Sequence, residues 1–222
     1  MTRSRAALVA LGLTAISAGI SAWAYPHAPA IVPTHWDAAG HVNGYMPKFW
    51  GLAIWPLTIA GTLLLMLVLP TISPKGFRME SFANVYYLIV IVIAAVLLIN
   101  EVFAVRASLG TGMPVGSAVL LPISVLFLIL GNYMGKLRKN FFIGVRTPWT
   151  LASDEVWLRT HRFTGHLFTI GGLVLIPVSI FVGAVPGTAL GIWGAIVVAM
   201  VIAPILYSFI AYRQIEGFSD DG

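Results

Sequence analysis

Three sets of side chains in this chain have the types needed for chemistry. The first is His27, His35, Asp37 and His41, gathered in one short stretch. Imidazole and carboxylate are ligands for zinc and its neighbours, which makes His35, Asp37 and His41 weak metal candidates. Their spacing is loose and matches no catalytic zinc signature. The same stretch equally fits a compact loop capping a bundle, with Asp37 as a turn acceptor. It also fits a recognition surface built on His35, Trp36, Asp37, His41, Asn43 and Tyr45.

The second set is Glu155, His161 and His166. Its histidines are five residues apart, which does not repeat one helix face as the i,i+4 pair of a helical zinc protease does. A structural hydrogen-bond network ordered by Arg146 or Arg162 is the main expectation here, with a ligand or partner site as the alternative. The third set is Asn100 and Glu101, near the end of an apolar run and five residues before Arg106. An ion pair between Glu101 and Arg106 is expected; a proton or ion relay is the alternative. No Ser-His-Asp arrangement, phosphate-cradling glycine loop or paired catalytic carboxylates occurs. The absence of cysteine excludes disulfides, thiolate metal sites and cysteine nucleophiles. A non-enzymatic protein with no cofactor and no committed metal site is therefore expected.

These residues are spaced by long apolar segments. Of 222 residues, 59% are hydrophobic and 9% charged, and the mean hydropathy is +0.91. Soluble domains carry roughly a quarter charged residues, so the chain is read as an integral membrane protein. Six segments are long enough to span: Ala6 to Ala24, Phe49 to Leu69, Ser81 to Val105, Ser117 to Met134, Phe163 to Val185 and Thr188 to Tyr212. Arg3, Arg5 and the small-x-small Ala22-Trp23-Ala24 also suit a signal peptide, but the length of the first run favours a span. Pro56, Pro122, Pro177 and Pro204 lie within spans as potential kinks.

The net charge of +5 reads as membrane topology rather than as affinity for nucleic acid. Arg3, Arg5, Lys75, Arg78, Lys136, Arg138, Lys139, Arg146, Arg159, Arg162 and Arg213 fall on one side of a six-span arrangement; Lys48 and Arg106 fall on the other. The positive-inside rule then places both termini in the cytoplasm. The fold class expected is all-α, polytopic, with six transmembrane helices, N-in and C-in.

Two polar regions interrupt the spans. Residues 25–48 form an extracytoplasmic loop with four prolines, an Asn43-Gly44 turn signal and the interfacial aromatics Tyr25, Trp36, Tyr45, Phe49 and Trp50. Residues 131–166 form a cytoplasmic stretch. In it Gly131 and Gly135 permit close helix approach, and Lys136, Arg138 and Lys139 meet lipid headgroups. Thr147-Pro148 and Ser153 are candidate helix starts. Trp157 and His161 share a helix face, and Glu155 pairs with Arg159. A short amphipathic helix anchored at the interface by Trp149 and Trp157 is expected to feed the fifth span. The chain divides into a two-helix unit with its outer loop (1–80) and a four-helix unit with the motif loop (81–222). Asn132, Arg138, Asn140, Arg146, Thr147, Trp149, Asp154, Glu155, Trp157, Arg159, His161 and Arg162 are the cytoplasmic candidates.

The run Gly131-Asn132-Tyr133, Lys136, Asn140-Phe141-Phe142-Ile143-Gly144-Val145-Arg146-Thr147-Pro148-Trp149-Thr150-Leu151, Val156-Trp157, Thr160-His161-Arg162 and Gly165 resembles the signature of SdpI-type bacterial immunity proteins. The outer segment Ile31-Val32-Pro33-Thr34-His35-Trp36-Asp37, Gly40, Asn43-Gly44-Tyr45 and Lys48 is similar to the DUF1648 region that accompanies it. His41 and Val42 stand where the family more often has Asn and Asp. The resemblance implies a multi-pass protein of the bacterial plasma membrane that protects against a secreted antimicrobial peptide. It implies a toxin on the outer face and a cytoplasmic transcriptional repressor held at the membrane. From the residues alone, an ion-coupled small-molecule transporter and a membrane metalloenzyme are the other readings.

Overall fold

A computed structural model describes residues 2–37, 41–75, 77, 79–111, 115–181 and 186–217. Gly40, Arg78, the turn at Val185 and the acidic tail after Gly217 lie outside the described residues. The order is α1 (Arg3–Ala24), β1 (Ile31–Trp36), β2 (Val42–Pro47), α2 (Lys48–Val68), α3 (Ala83–Ser108), α4 (Val115–Met134), α5 (Pro148–Ala152), α6 (Asp154–Phe181) and α7 (Pro186–Ile215). Single 3-10 turns at Leu69–Ile72 and Glu80–Phe82 connect α2 to α3. Six of the helices are long and apolar enough to cross a bilayer. Large side chains such as Leu8, Leu57, Leu64 and Ile170 are more than half exposed on them, as expected of surfaces solvated by lipid. The fold is an all-α, six-helix polytopic membrane architecture with one small hairpin added.

The hairpin corrects the expectation of an irregular outer loop. β1 and β2 pair antiparallel, with Ile31 opposite Pro47, Val32 opposite Met46 and Trp36 opposite Val42, and irregular register around His35. Pro33 is tolerated because a two-stranded ribbon has only edge strands. Asn43 and Gly44 lie inside β2 rather than in the turn. The reversal is closed instead by Asp37, whose backbone N–H donates to His41 O (2.9 Å) while its Oδ1 accepts from His41 N (2.9 Å).

α1, α2 and α3 pack together beneath the hairpin; α4, α6 and α7 form the other half. The α4–α6 contact is made by glycines. A Cβ on Gly131 would strike the Thr169 backbone, and one on Gly172 would strike the backbone of Leu128. The helices therefore approach main chain to main chain, as small-residue interfaces in membranes do. Gly135 has only ordinary contact with Arg162. α3 runs the height of the molecule. Near its start, Phe82 and Tyr86 pack in a cluster with Leu137 and Trp157; near its end, Val105 packs with Ala24, Ala28, Val32 and Leu52. At about 1.5 Å per residue, the motif loop and the hairpin lie roughly 35 Å apart, at opposite ends of the bundle.

Candidate functional site

The motif loop between α4 and α6 is built by side chains that replace missing backbone partners. Asn140 is fully buried. Its Nδ2 donates to Arg138 O (2.9 Å) and Ile143 O (3.1 Å), and its Oδ1 accepts from the N–H groups of Phe142 and Ile143, both at 2.8 Å. One amide thus closes the whole turn. Trp157 Nε1 donates to Leu137 O (2.9 Å), tying α6 to the end of α4. His161 stacks on Trp157 with ring centroids 4.0 Å apart. Its Nε2 accepts from Val145 N–H (3.0 Å), which leaves Nδ1 to carry the hydrogen and donate to Trp157 O (2.8 Å). Both ring nitrogens are occupied, so His161 is not available to a metal. Gly144, at φ +105°, lies against His161 where any Cβ would collide with Nε2.

Helix α5 begins as Thr147 and Pro148 predict. Thr147 Oγ1 accepts from Thr150 N (3.2 Å), and Thr150 Oγ1 accepts from Thr147 N (3.0 Å), a reciprocal cap. The buried hydroxyls continue to α7, where Thr147 and Ser208 lie 2.9 Å apart. α5 stops after Ala152. Ser153 then starts α6: its O accepts from Trp157 N (3.0 Å). The stretch expected as a separate interfacial helix is therefore the first turns of a 28-residue helix. Trp157 is 1% exposed and is a core residue, not an interfacial anchor; Trp149 packs edge-on against Phe209.

What remains outside this scaffold is mostly cationic. Arg138, Arg146, Arg159, Arg162 and Lys136 are exposed. Arg146 holds Phe141 O through its guanidinium. Arg159 pairs with Glu155 (2.6 Å), and Lys139 with Asp154 (2.6 Å). Asn132 is exposed at the end of α4, its Nδ2 on Leu128 O. His166 is also exposed, about three turns of α6 away from Glu155 by position. Beside the loop, Glu80, Asn84, Lys136 and Arg138 help line an open groove of about 370 Å³.

At the other end, the hairpin presents Ile31, Tyr45 and Met46, and the start of α2 adds exposed Phe49 and Trp50. His35 Nδ1 lies 2.5 Å from Asn43 Oδ1, and His41 lies 3.4 Å from Asp37. His27 is turned back on Trp23 O (2.8 Å). The histidines therefore have separate partners, and the described residues hold no group of three or more His, Asp or Glu placed for a metal ion. The hairpin is seated by Val32, which lies against Gly51, and by Lys48, whose Nζ donates to Tyr25 O (3.2 Å) and sits 4.5 Å over the Tyr25 ring.

Glu101 corrects a third expectation. It does not pair with Arg106, which is exposed and donates to Thr111 O (3.2 Å). Five residues on a helix turn through about 140°, so the two side chains face different ways. Glu101 is fully buried and points to α1, with Oε1 2.9 Å from Ser21 Oγ. Ser17 lies beside the same carboxyl. Asn100 Nδ2 donates within its own helix to Val96 O (3.0 Å). Ser17 and Ser21, four apart on one face of α1, join Glu101 as functional candidates from the structure alone. Paired hydroxyls in an apolar span were the available signal.

With this geometry in hand, comparison with known proteins separates the readings. A model described as the SdpI/YfhL protein family matches residues 136–210, which hold the motif loop, α6 and most of α7. A second, the domain of unknown function DUF1648, matches residues 12–60, which hold the hairpin with the second half of α1 and the first half of α2. The chain therefore carries an SdpI/YfhL-type region at residues 136–210 and a DUF1648-type region at residues 12–60. It is also similar to "Immunity protein SdpI" of Bacillus subtilis (strain 168), 26% identical over 204 residues that cover 87% of this chain and 89% of the relative. No solved structure matches. The SdpI/YfhL match begins at Lys136 and so takes in Asn140, Gly144, Thr147, Trp157 and His161, the residues that build the loop. The likeness is to an immunity protein and supports a non-enzymatic, multi-pass membrane role.

Proposed function

We propose that this chain is a plasma-membrane immunity protein that meets a secreted antimicrobial peptide at the hairpin and presents the motif loop to a cytoplasmic transcriptional repressor. The observation that carries this reading is the placement of two chemically different surfaces at opposite ends of one six-helix bundle. The similarity to Immunity protein SdpI supports it. The hairpin with Phe49 and Trp50 offers aromatic and apolar groups at membrane level, which suits an amphipathic peptide arriving along the bilayer. The loop offers Arg138, Arg146, Arg159 and Arg162, which suit an acidic protein surface. The distribution of basic residues supports the loop and both termini as cytoplasmic. The hairpin unit of residues 1–80 then senses, and the unit of residues 81–222 reports.

An ion-coupled transporter would draw on buried Glu101. The groove at Glu80 and Lys136 lies roughly 30 Å along α3 from that residue, so it supplies no path to it.

The test is survival of a sensitive bacterium expressing the protein and challenged with a panel of secreted killing peptides, alongside a repressor-release reporter. Tyr45→Ala with Trp36→Ala is expected to lose protection with the protein still in the membrane. Arg138→Ala with Arg146→Ala is expected to lose reporter induction. Absence of protection by the unaltered protein against every peptide would overturn the reading.

A further inference from the structure

Proline 56 sets a hydrogen count that fixes where a proton must be. It lies inside α2 and has no N–H, so Leu52 O, four residues earlier, has no helical donor. Ser21 Oγ, from α1, lies 2.9 Å from that carbonyl. The same Oγ lies 2.9 Å from Glu101 Oε1 on α3. A serine hydroxyl has one hydrogen. Leu52 O can only accept and Pro56 leaves it no other donor, so the Ser21 hydrogen is assigned there. The contact from Ser21 to Glu101 then holds a hydrogen only if the carboxyl supplies it.

We propose that Glu101 is a proton-binding site, occupied at neutral pH, in which the Glu101 O–H donates to Ser21 Oγ and the Ser21 O–H donates to Leu52 O. The chain of donors runs α3 to α1 to α2. The second carboxyl oxygen, Oε2, and Ser17 Oγ are both buried without a partner. In the protonated acid Oε2 is a carbonyl-type acceptor, and the neighbouring Ser17 hydroxyl is its donor. The proton accounts for the Glu101, Ser21 and Leu52 groups; the Ser17 hydroxyl can donate to Oε2 in either protonation state. A carboxylate would leave Ser21 with two acceptors and one hydrogen, and would bury a charge without a counter-ion inside the membrane.

The charged groups on each packed element bear this out. On α1, Arg3 and Arg5 are exposed at the far end; on α2, Lys48 is held by Tyr25 and Ala28; on α3, Arg106 is exposed. α4 has no charged residue, and Val32 is what β1 contributes here. The bonded chain sits directly beneath Ala24, Leu52 and Val105, the residues on which Val32 seats the hairpin. Proton loss would break the tie between three helices at the hairpin's base.

The experiment uses full-length protein in phosphatidylcholine–phosphatidylglycerol nanodiscs, with glutamate labelled by ¹³C at the side-chain carboxyl. Of the four glutamates, Glu80, Glu155 and Glu216 are exposed, so an infrared band of a protonated, labelled carboxylic acid at pH 7 reports Glu101. That band is expected in the unaltered protein, lost in Glu101→Gln and shifted in Ser21→Ala. Glu101→Gln, whose amide can donate to Ser21 without charge, is expected to melt within a few degrees of the unaltered protein. It should also lack the loss of stability that alkaline pH brings to the unaltered chain. No labelled-acid band at pH 7 overturns the proposal. So does a melting temperature raised by sodium chloride but not choline chloride together with that missing band, which would make the site a sodium site. The label is read on the unaltered protein, so a Gln variant that fails to fold leaves the test intact. The outcome does not depend on which peptide, if any, the hairpin meets.

Discussion

The motif loop and the hairpin occupy opposite ends of the same bundle and are held by opposite means. In the loop, polar side chains are buried and each is spent on backbone: Asn140 closes a turn alone, Trp157 reaches Leu137 O, and His161 uses both nitrogens. In the hairpin, polar and aromatic side chains are mostly exposed, and the ribbon is seated by little more than Val32 and Lys48. A long, chemically conspicuous motif is here a scaffold, and what it leaves exposed is the ring of arginines around it. A shorter, plainer segment is the one left open to solvent. Residues suited to catalysis by type are used up when their hydrogen-bonding capacity is satisfied inside the fold.

The comparison breaks first at Trp157. Trp157→Ala removes a buried side chain and the bond to Leu137 O together, and is expected to cost about 3–5 kcal/mol. The check is thermal melting of the purified protein by loss of its monodisperse chromatographic peak. A loss under about 1 kcal/mol would mean the loop is not held from α6.

Asn140→Ala comes next. It leaves the N–H groups of Phe142 and Ile143 without their acceptor, at about 1–3 kcal/mol per buried unsatisfied group. Protease cleavage within residues 138–146 should rise while the hairpin stays as resistant as before. Cleavage rising equally at both ends would show that the two regions are one cooperative unit.

Gly51→Ala tests the hairpin side. The new methyl meets Val32 Cγ2, which is 1% exposed and has no room to retreat. Overpacking of this kind costs about 1–3 kcal/mol. The strain is expected to appear locally, as faster proteolysis of residues 30–47 with the motif loop unchanged. A hairpin as resistant as before would move its anchor away from Val32.

The two ends also differ in how far sequence reaches. Membrane class and six spans follow from apolar runs that no soluble chain of this size can hide. The start of α5 follows from Thr147-Pro148, and the Glu155–Arg159 and Trp157–His161 pairs from helical spacing, because each is a local rule. The hairpin was not legible: Pro33 and the misplaced Asn43-Gly44 signal both argue against the register actually used, which is set by the seat of Val32 on Gly51. Nearness in sequence pairs Glu101 with Arg106. Its actual partner is 80 residues away, and no local rule reaches that far. Gly144 shows the same limit, since its positive φ becomes a requirement only when His161 is known to press against it.

The smallest expected effect lies at the rim of the motif loop. Glu155 and Arg159 make a 2.6 Å pair, but both side chains are about half exposed, at 51% and 52%. Water and salt screen such a pair, and ordering two long side chains costs entropy, so its worth is about 0.2–1 kcal/mol. Glu155 also lies in the first turn of α6, where a negative charge adds a few tenths of a kcal/mol against the helix dipole. Glu155→Gln is therefore expected to lower the melting temperature by no more than a few degrees, and less in 0.5 M salt than in low salt. Because the substitution frees Arg159, the proposed function has the repressor-release reporter change more than stability does. A large stability loss that salt does not alter would place Glu155 with Asn140 and Trp157, and the boundary between scaffold and presented surface would have to be moved outward past the rim.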